Sequence, residues 1–591
     1  MKIRRSKHKL MPSVVLMAGL LTLSGCTNKD FDLNDVDLTM GFGGESIEIP
    51  SSSTANIPLK DVLDISADGS VKIDDDGNYV FQLAGGDVEA AKPHISPIVL
   101  NVRDVFKGDI ALTASTVNAK SKSRKALSNS INVTSSKEKM FEYHGNDKAV
   151  KSLQEADIDE ATIVVRINFS SIATAIPAIK SATLTLPGYL EISQVNGNGN
   201  GTPTLNGSKV TISNISTARE LELSLKASKL DFAQQDSYGN LTINNGAIDL
   251  DGYFSLNVQA DVTAPVANAS VKVKIGVLNN TITMRSATGI FDPDINLNTL
   301  GEVDVNGIPD FLSDGDVVAD LDNPQVILTV SNDMDVSAKV TATIVSYKNG
   351  QELKRIHLPQ MSVGKNGVSK ICVCRKKTDE LNTTYGENNV YTVSDLSTLI
   401  YTIPDHISII DVNAHADQVP ATIRFGQEYH VKPAYEVYAP LAFGHNANIV
   451  YEDSFDGWND DIKDLDLAEN TYIEVTADAT SMVPAYLTIT AYPVDAYGNK
   501  LDDKLLIETP DKVKASTDGK TAVTTPITMK ISAKEKNALK QLDGVVFRLE
   551  GSATAEGENS ITGITLNANK HTLKLDNIKV KLVGKIIGDF N

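Results

Sequence analysis

The chain has 591 residues, with 75 acidic against 55 basic side chains and a formal net charge of −20. That balance argues against a nucleic-acid partner, which needs clustered Lys and Arg to meet phosphates. A hydrophobic content of 41% excludes a disordered chain and leaves material for several cores, while three cysteines are too few for a disulfide scaffold.

The first residues carry Lys2, Arg4, Arg5, Lys7 and Lys9 and no acid. A mostly apolar run from Leu10 to Leu23 comes next, too short to span a bilayer, and Leu23-Ser24-Gly25-Cys26 closes it. A basic start, an apolar run and small residues before a cleavage point make a secretory leader. Small residues between a leucine and a cysteine resemble the lipobox of bacterial lipoproteins. The resemblance implies that residues 1–25 are removed, that Cys26 receives a diacylglycerol, and that lipid holds the chain at a membrane. Residues 26–45 read as a flexible tether. Its Lys29, Asp30 and Asp32, close behind Cys26, resemble the surface-export signal of Bacteroidota lipoproteins. That implies the outer membrane, facing the cell exterior; a generic polar tether would leave the chain facing the periplasm. No later apolar run is long enough to cross a membrane.

From Ile47 the pattern is β. Ser70 to Ile73 and Tyr79 to Phe81 flank Asp74-Asp75-Asp76-Gly77-Asn78, which predicts a hairpin. Residues 115–139, rich in Ser and Lys, predict a long exposed loop, with a basic docking patch as the sharper alternative. Period-two alternation then recurs in pairs: Ile163 to Phe169 with Ala182 to Leu186, and Phe254 to Ala260 with Val271 to Ile275. Later pairs are Val326 to Val330 with Val340 to Ile344, and Ile473 to Ala477 with Leu487 to Ala491. Weaker copies begin near Ile409 and Val546. Their uneven spacing excludes a solenoid. Strands that bury one face and wet the other build antiparallel sheets.

Three short helices are predicted before three of these pairs. One, near 147–154, presents Ala149, Val150 and Leu153; one presents Leu396 and Leu399; one starts at Ser532 with Glu535 as a capping box. The last strand shifts register across Asp576-Asn577, which predicts a β-bulge. The fold class is therefore mainly β: tandem antiparallel β-sandwich-like domains with a few short capping helices. The borders drawn from sequence are an N-terminal β region at 46–300, which could be two domains, a middle domain at 301–420 and a C-terminal region at 421–591.

Four clusters carry chemistry. Phe425, Tyr429, Tyr435, Tyr438, Phe443, Tyr451, Phe455 and Trp458 crowd together, with Asp453, Asp456, Asp460 and Asp461 among the last of them. Rings beside carboxylates suit sugar binding, so Tyr451, Phe455, Asp456 and an exposed Trp458 are the candidate ligand residues. The alternative is that Tyr435, Tyr438 and Phe443 are core. Glu302, Asp304, Asn306, Gly307 and Asp310 match positions of a calcium loop, although Ser313 stands where a bidentate Glu belongs. Asp314, Asp316, Asp320 and Asp322 could add oxygens; an acidic turn is the other reading. Cys372 and Cys374 would share one strand face as free thiols, a disulfide or a metal pair. His415 and Asp417 would lie on a solvated strand face.

No hydrolase, metalloprotease or phosphate-loop signature occurs, which leans against an enzyme. What the lipoprotein resemblance implies is a cell-surface binding or adhesion module, with a polysaccharide as one candidate ligand. A structural subunit packed on an outer-membrane protein and a glycan-active hydrolase are the alternatives.

Overall fold

The computed structural model describes residues 46–584, apart from residues 64, 67, 86–87, 103–105, 113–128, 263–268, 296, 298, 314, 460–470 and 511. The leader, the tether with Cys26, and residues 115–128 of the predicted loop lie outside the described residues. The remainder is mainly β, in six sheets that pair into three sandwiches.

In the first sandwich an eight-stranded sheet is built on the long strand Val150–Asn168, flanked by Leu221–Asp231 and Ala269–Val277. A seven-stranded sheet faces it, built on Ala178–Thr185 and Ala247–Val262. Ile163, Val165 and Ile167 from one sheet meet Leu184, Leu256 and Val258 from the other in one core. Each such fully buried aliphatic side chain contributes roughly 1.5–3 kcal/mol relative to exposure.

The second sandwich sets a sheet containing Gln325–Asn332, Gly367–Cys374 and Val431–Pro440 against one containing Ala338–Lys348 and His406–Ala416. The third sets Tyr472–Ser481, Val523–Ala533 and Thr572–Val583 against a three-stranded sheet of Asn448–Phe455, Gly544–Ser552 and Tyr486–Val494. The second and third share a continuous core. The described strand pairs are antiparallel except Gly367–Cys374 with Val390–Thr392, which is parallel.

The repeated strand pairs are not hairpins. In each of the four clear copies the first strand lies in one sheet and the second in the facing sheet. The repeat is thus a crossing from one layer to the other, which gives both strands the same inward-facing core.

The sheets also recruit strands across the linear borders. Ser46–Ser52 and Ile57–Pro58 pair with Thr572–Val583, and Tyr79–Ala84 pairs with Val431–Pro440. Ala421–Arg424 pairs with Thr281–Phe291. Segments 46–300, 301–420 and 421–591 therefore do not coincide with sandwiches. The hairpin at Asp74–Asn78 is present, with Val71 opposite Phe81. Its tip is clamped by Asn567, whose Nδ2 donates to Asp76 O (3.1 Å) and to Asn78 Oδ1 (3.0 Å). The bulge at Asp576-Asn577 is present too, with Asn577 at φ 53°.

The predicted helices fare unevenly. Leu396–Leu399 is a short 3-10 turn with both leucines buried. The capping box at Ser532 does not form, because Ser532 lies inside the strand Val523–Ala533, opposite Tyr472 and Leu506. Beyond that strand the chain makes a 3-10 turn, Ala538–Gln541, which does bury Ala538 and Leu539. Residues 147–154 are not helical, since Val150–Asn168 is a strand. Its register against Thr281–Phe291 slips at three places, and two of the slips insert an extra residue in this strand, between Val150 and Leu153 and between Leu153 and Ala156. Bulges thus stretch a period of two into the spacing of a helix. Within 129–139 the predicted loop is also overturned: Asn129–Thr134 and Glu138–Asn146 are strands, pairing with Ala247–Val262. A helix not expected from the sequence, Asp379–Tyr385, carries a Thr378 cap, two acids in its first turn and Gly386 after its end.

At Gly289, beside one slip, an added Cβ would press on the Ser152 carbonyl oxygen and lie 3.0 Å from Leu153 Cα. Gly289→Ala should destabilise the chain by about 2 kcal/mol in a urea titration, whereas Gly276→Ala, with nothing within 4 Å, should not. A pH effect is expected from His571, whose Nδ1 accepts the Asn567 N–H at 3.0 Å. Burial holds its pKa below the ordinary histidine value. The unfolded chain therefore binds this proton more readily, and stability should fall as pH drops below about 6.5. His571→Asn should flatten that acid limb in melting curves recorded from pH 8 to pH 5.

Candidate functional site

Four of the clustered aromatics, Tyr429, Tyr435, Phe443 and Trp458, are core, and Phe425, Tyr438 and Tyr451 are half-buried. Trp458 is 4% exposed, not displayed in an acidic loop. Its backbone N–H donates to Asp543 O (2.8 Å), and the next residue, Asn459, donates to Asp543 Oδ1 (3.1 Å) and Lys540 O (2.7 Å). These bonds draw the segment onto the 540–543 turn and turn the indole inward. Tyr451 is half-buried and lines an apolar gap with Leu59, Phe443 and Leu549. Tyr429, Tyr435 and Phe443 are buried. Asp456 is exposed. Phe455 ends its strand opposite Val545, and its side chain lies outside the described ones. The structure thus does not gather Tyr451, Phe455, Asp456 and Trp458 into one exposed platform.

The calcium loop is not a loop. Glu302 and Asp304 sit on the strand Thr299–Asp304, paired with His406–Ala416, and Asp310 opens the short helix Asp310–Ser313. Between them Asn306 is pinned to Ser70, accepting from its N–H (2.7 Å) and donating to its Oγ (2.9 Å). Glu302 and Asp304 are thus held in a ladder and Asp310 in a helix, with only the irregular stretch 305–309 between them. Among the described residues no three His, Cys, Asp or Glu side chains converge to hold a metal.

The later acids are clamps. Asp316 pairs with Arg548 (2.6 Å), Asp322 with Lys376 (2.6 Å), and fully buried Asp320 with Arg375 (2.8 Å). Asp320 also accepts from Asn446 N (3.0 Å) and Nδ2 (3.2 Å). Asp417 accepts from Ser337 Oγ (2.6 Å) and forms no metal group with His415 among the described residues. Cys372 and Cys374 are free thiols buried beneath the helix Asp379–Tyr385 with Leu381 and Val390. Their mutual hydrogen bond, with burial, holds Cys372 above the usual thiol range.

The surface with organised chemistry lies on the first sandwich. Register across five strands of the seven-stranded sheet sets Thr204, Thr211, Thr183, Asn257 and Thr134 in one row on its outer face. The next row is Thr202, Ser213, Ser181, Gln259 and Asn132. All ten are half-buried or exposed, and none is charged. Thr183 and Thr211 share a hydrogen bond (3.1 Å), Ser181 donates to Gln259 (3.3 Å), and Asn257 donates to Asn132 and Thr134 (both 2.8 Å). At one end stands Tyr238, half-buried, its hydroxyl 2.9 Å from Ser255 Oγ, with Lys137 Nζ 4.7 Å from the ring centroid. Charges return at the rims, with Lys209 beyond one row and the Lys180–Asp261 pair (3.5 Å) beyond the other.

The outer face of the opposite sheet is different. It carries Arg166–Glu222 (2.8 Å), Lys226–Glu160 (3.0 Å) and Lys229–Glu155 (2.6 Å). The turn that presents Tyr238 is not among the candidates drawn from sequence, although it leaves a signal there. Asp236-Ser237-Tyr238-Gly239-Asn240 recurs as Asp495-Ala496-Tyr497-Gly498-Asn499, where Tyr497 is 90% exposed.

Removing one member of a buried pair strands the other. Arg375→Met should therefore cost about 3 kcal/mol, read as a lowered denaturant midpoint. No family model matches the chain. No curated protein matches it. Among solved structures, the chain is similar to one described as a secreted protein of Parabacteroides distasonis. The identity is 15%, over 51% of this chain and 90% of that one, with a TM-score of 0.37.

Proposed function

We propose that this chain is a lipid-anchored surface protein of the outer membrane that works as a binding module rather than an enzyme. The leader and the Leu23-Ser24-Gly25-Cys26 box supply the anchor. The observation that carries the reading is where the tether joins the fold. Ser46–Ser52 is an edge strand of the third sandwich, paired with Thr572–Val583. That sandwich shares its core with the second. The first joins the second through the pairing of Thr281–Phe291 with Ala421–Arg424, and through Met334 and Val336 in its core. The anchor thus enters at one end of a chain of three units, and the broad sheet faces of the first sandwich stand two units away. The 19 residues between Cys26 and Ser46 reach at most about 70 Å, enough to clear a membrane surface.

No helix among the described residues is long and apolar enough to cross a membrane. Attachment in this reading is through the lipid. Cys26→Ala should abolish labelling by a radioactive fatty acid and shift the protein from the detergent phase to the aqueous phase. Protease added to intact cells should remove the wild-type protein. Unlabelled Cys26 overturns the anchor, and full protection in intact cells overturns the outward orientation.

A further inference from the structure

We propose that the outer face of the seven-stranded sheet is a binding site for an uncharged polysaccharide. This rests on the binding-module reading and names its ligand class. A neutral glycan offers a dense set of hydroxyls, each both donor and acceptor, and ring faces of C–H bonds. The two rows from Thr204 to Thr134 and from Thr202 to Asn132 offer the same kind of groups in reply: hydroxyls and amides that donate and accept alike. Strands about 4.8 Å apart and rows roughly 7 Å apart make a regular lattice, suited to an extended polymer lying along the face. Tyr238 adds an apolar ring at one end, fixed by its bond to Ser255 Oγ.

Charge complementarity points the same way. The outer face of the opposite sheet in the same sandwich carries ion pairs, among them Arg166–Glu222 and Lys229–Glu155. Here ten adjacent positions carry none. An acidic or sulfated polymer would find no cation within the rows, and a basic one no carboxylate. A hydroxylated neutral polymer exchanges water for equivalent hydrogen bonds without stranding a charge. The site is shallow, so single sugars should bind weakly and long chains well, through many contacts at once.

Native affinity electrophoresis tests this, with dextran, mannan, galactomannan or laminarin cast in the gel and polygalacturonate and chondroitin sulfate as charged counterparts. The wild-type chain should be retarded by at least one neutral polymer and by neither charged one. Thr183→Asp with Asn257→Asp should abolish retardation, and Tyr238→Ala should weaken it about tenfold while Tyr238→Phe retains it. Circular dichroism melts check that each variant folds. The exposed edge variant Thr204→Asp gives the same readout should the double variant fail to fold. Retardation by no neutral polymer, or by the charged polymers instead, overturns the proposal. Retardation that survives the aspartate variants removes this face as the site but leaves a binding module standing. Full protection in the protease test would instead overturn the outward orientation and leave the glycan result to stand or fall by itself.

Discussion

Every sandwich here depends on one constraint: at four crossings the chain passes from one sheet to the facing sheet of the same core. Ile163, Val165 and Ile167 cannot bury their inner faces until Ala182 and Leu184 arrive in the facing layer. The same holds for Val326 and Leu328 with Ala342 and Ile344. The hairpins, such as Ala338–Lys348 with Gln351–His357, widen a sheet but do not cover it. Because these crossings link the two layers, the apolar face of each sheet is covered by the other. The cost is contact order, since strands that pair are often far apart in sequence, as Ser46–Ser52 and Thr572–Val583 are.

The seams between sandwiches solve a second problem. Where units meet, backbone and carboxylates are taken out of water, and each buried polar group needs a partner. Asp320 is fully buried, yet Arg375 and Asn446 satisfy its oxygens. Asn567 is buried too, and its side chain reaches the tip of a hairpin from the neighbouring sandwich while accepting from Asn569 and Lys570. Such groups fix the relative placement of sheets better than apolar contact, because a slipped arrangement would strand a charge or an amide. Asp316, Asp320 and Asp322 each pair in this way with a cation remote in sequence, Arg548, Arg375 and Lys376.

Much of the fold was legible, because alternation is a local signal. The strands at 163, 254, 326 and 473, the hairpin at Asp74–Asn78 and the bulge at Asp576-Asn577 all derive from neighbouring residues. The failures have local causes as well. Register slips spread Val150, Leu153 and Ala156 into helical spacing, and Ser532 looked like a cap although the ladder had already claimed its backbone. Trp458 shows a deeper limit: glycine and acids around a ring describe its neighbours in sequence, not the side of the chain from which Asp543 and Lys540 approach. The neutral face was illegible for a related reason. Thr134, Thr183, Thr204, Thr211 and Asn257 become neighbours only through a register shared by five strands, and no window of sequence holds them together.

The absence of charge from that face sets how salt would act on it. Charges are screened beyond about 8 Å at physiological salt, and residues 92–294, which supply most of the first sandwich, carry 20 basic and 19 acidic side chains. The net charge of −20 therefore resides outside this segment and not around the two rows. In the reading proposed above, a neutral polymer would be held by hydrogen bonds that exchange no ion, so its binding should be insensitive to ionic strength.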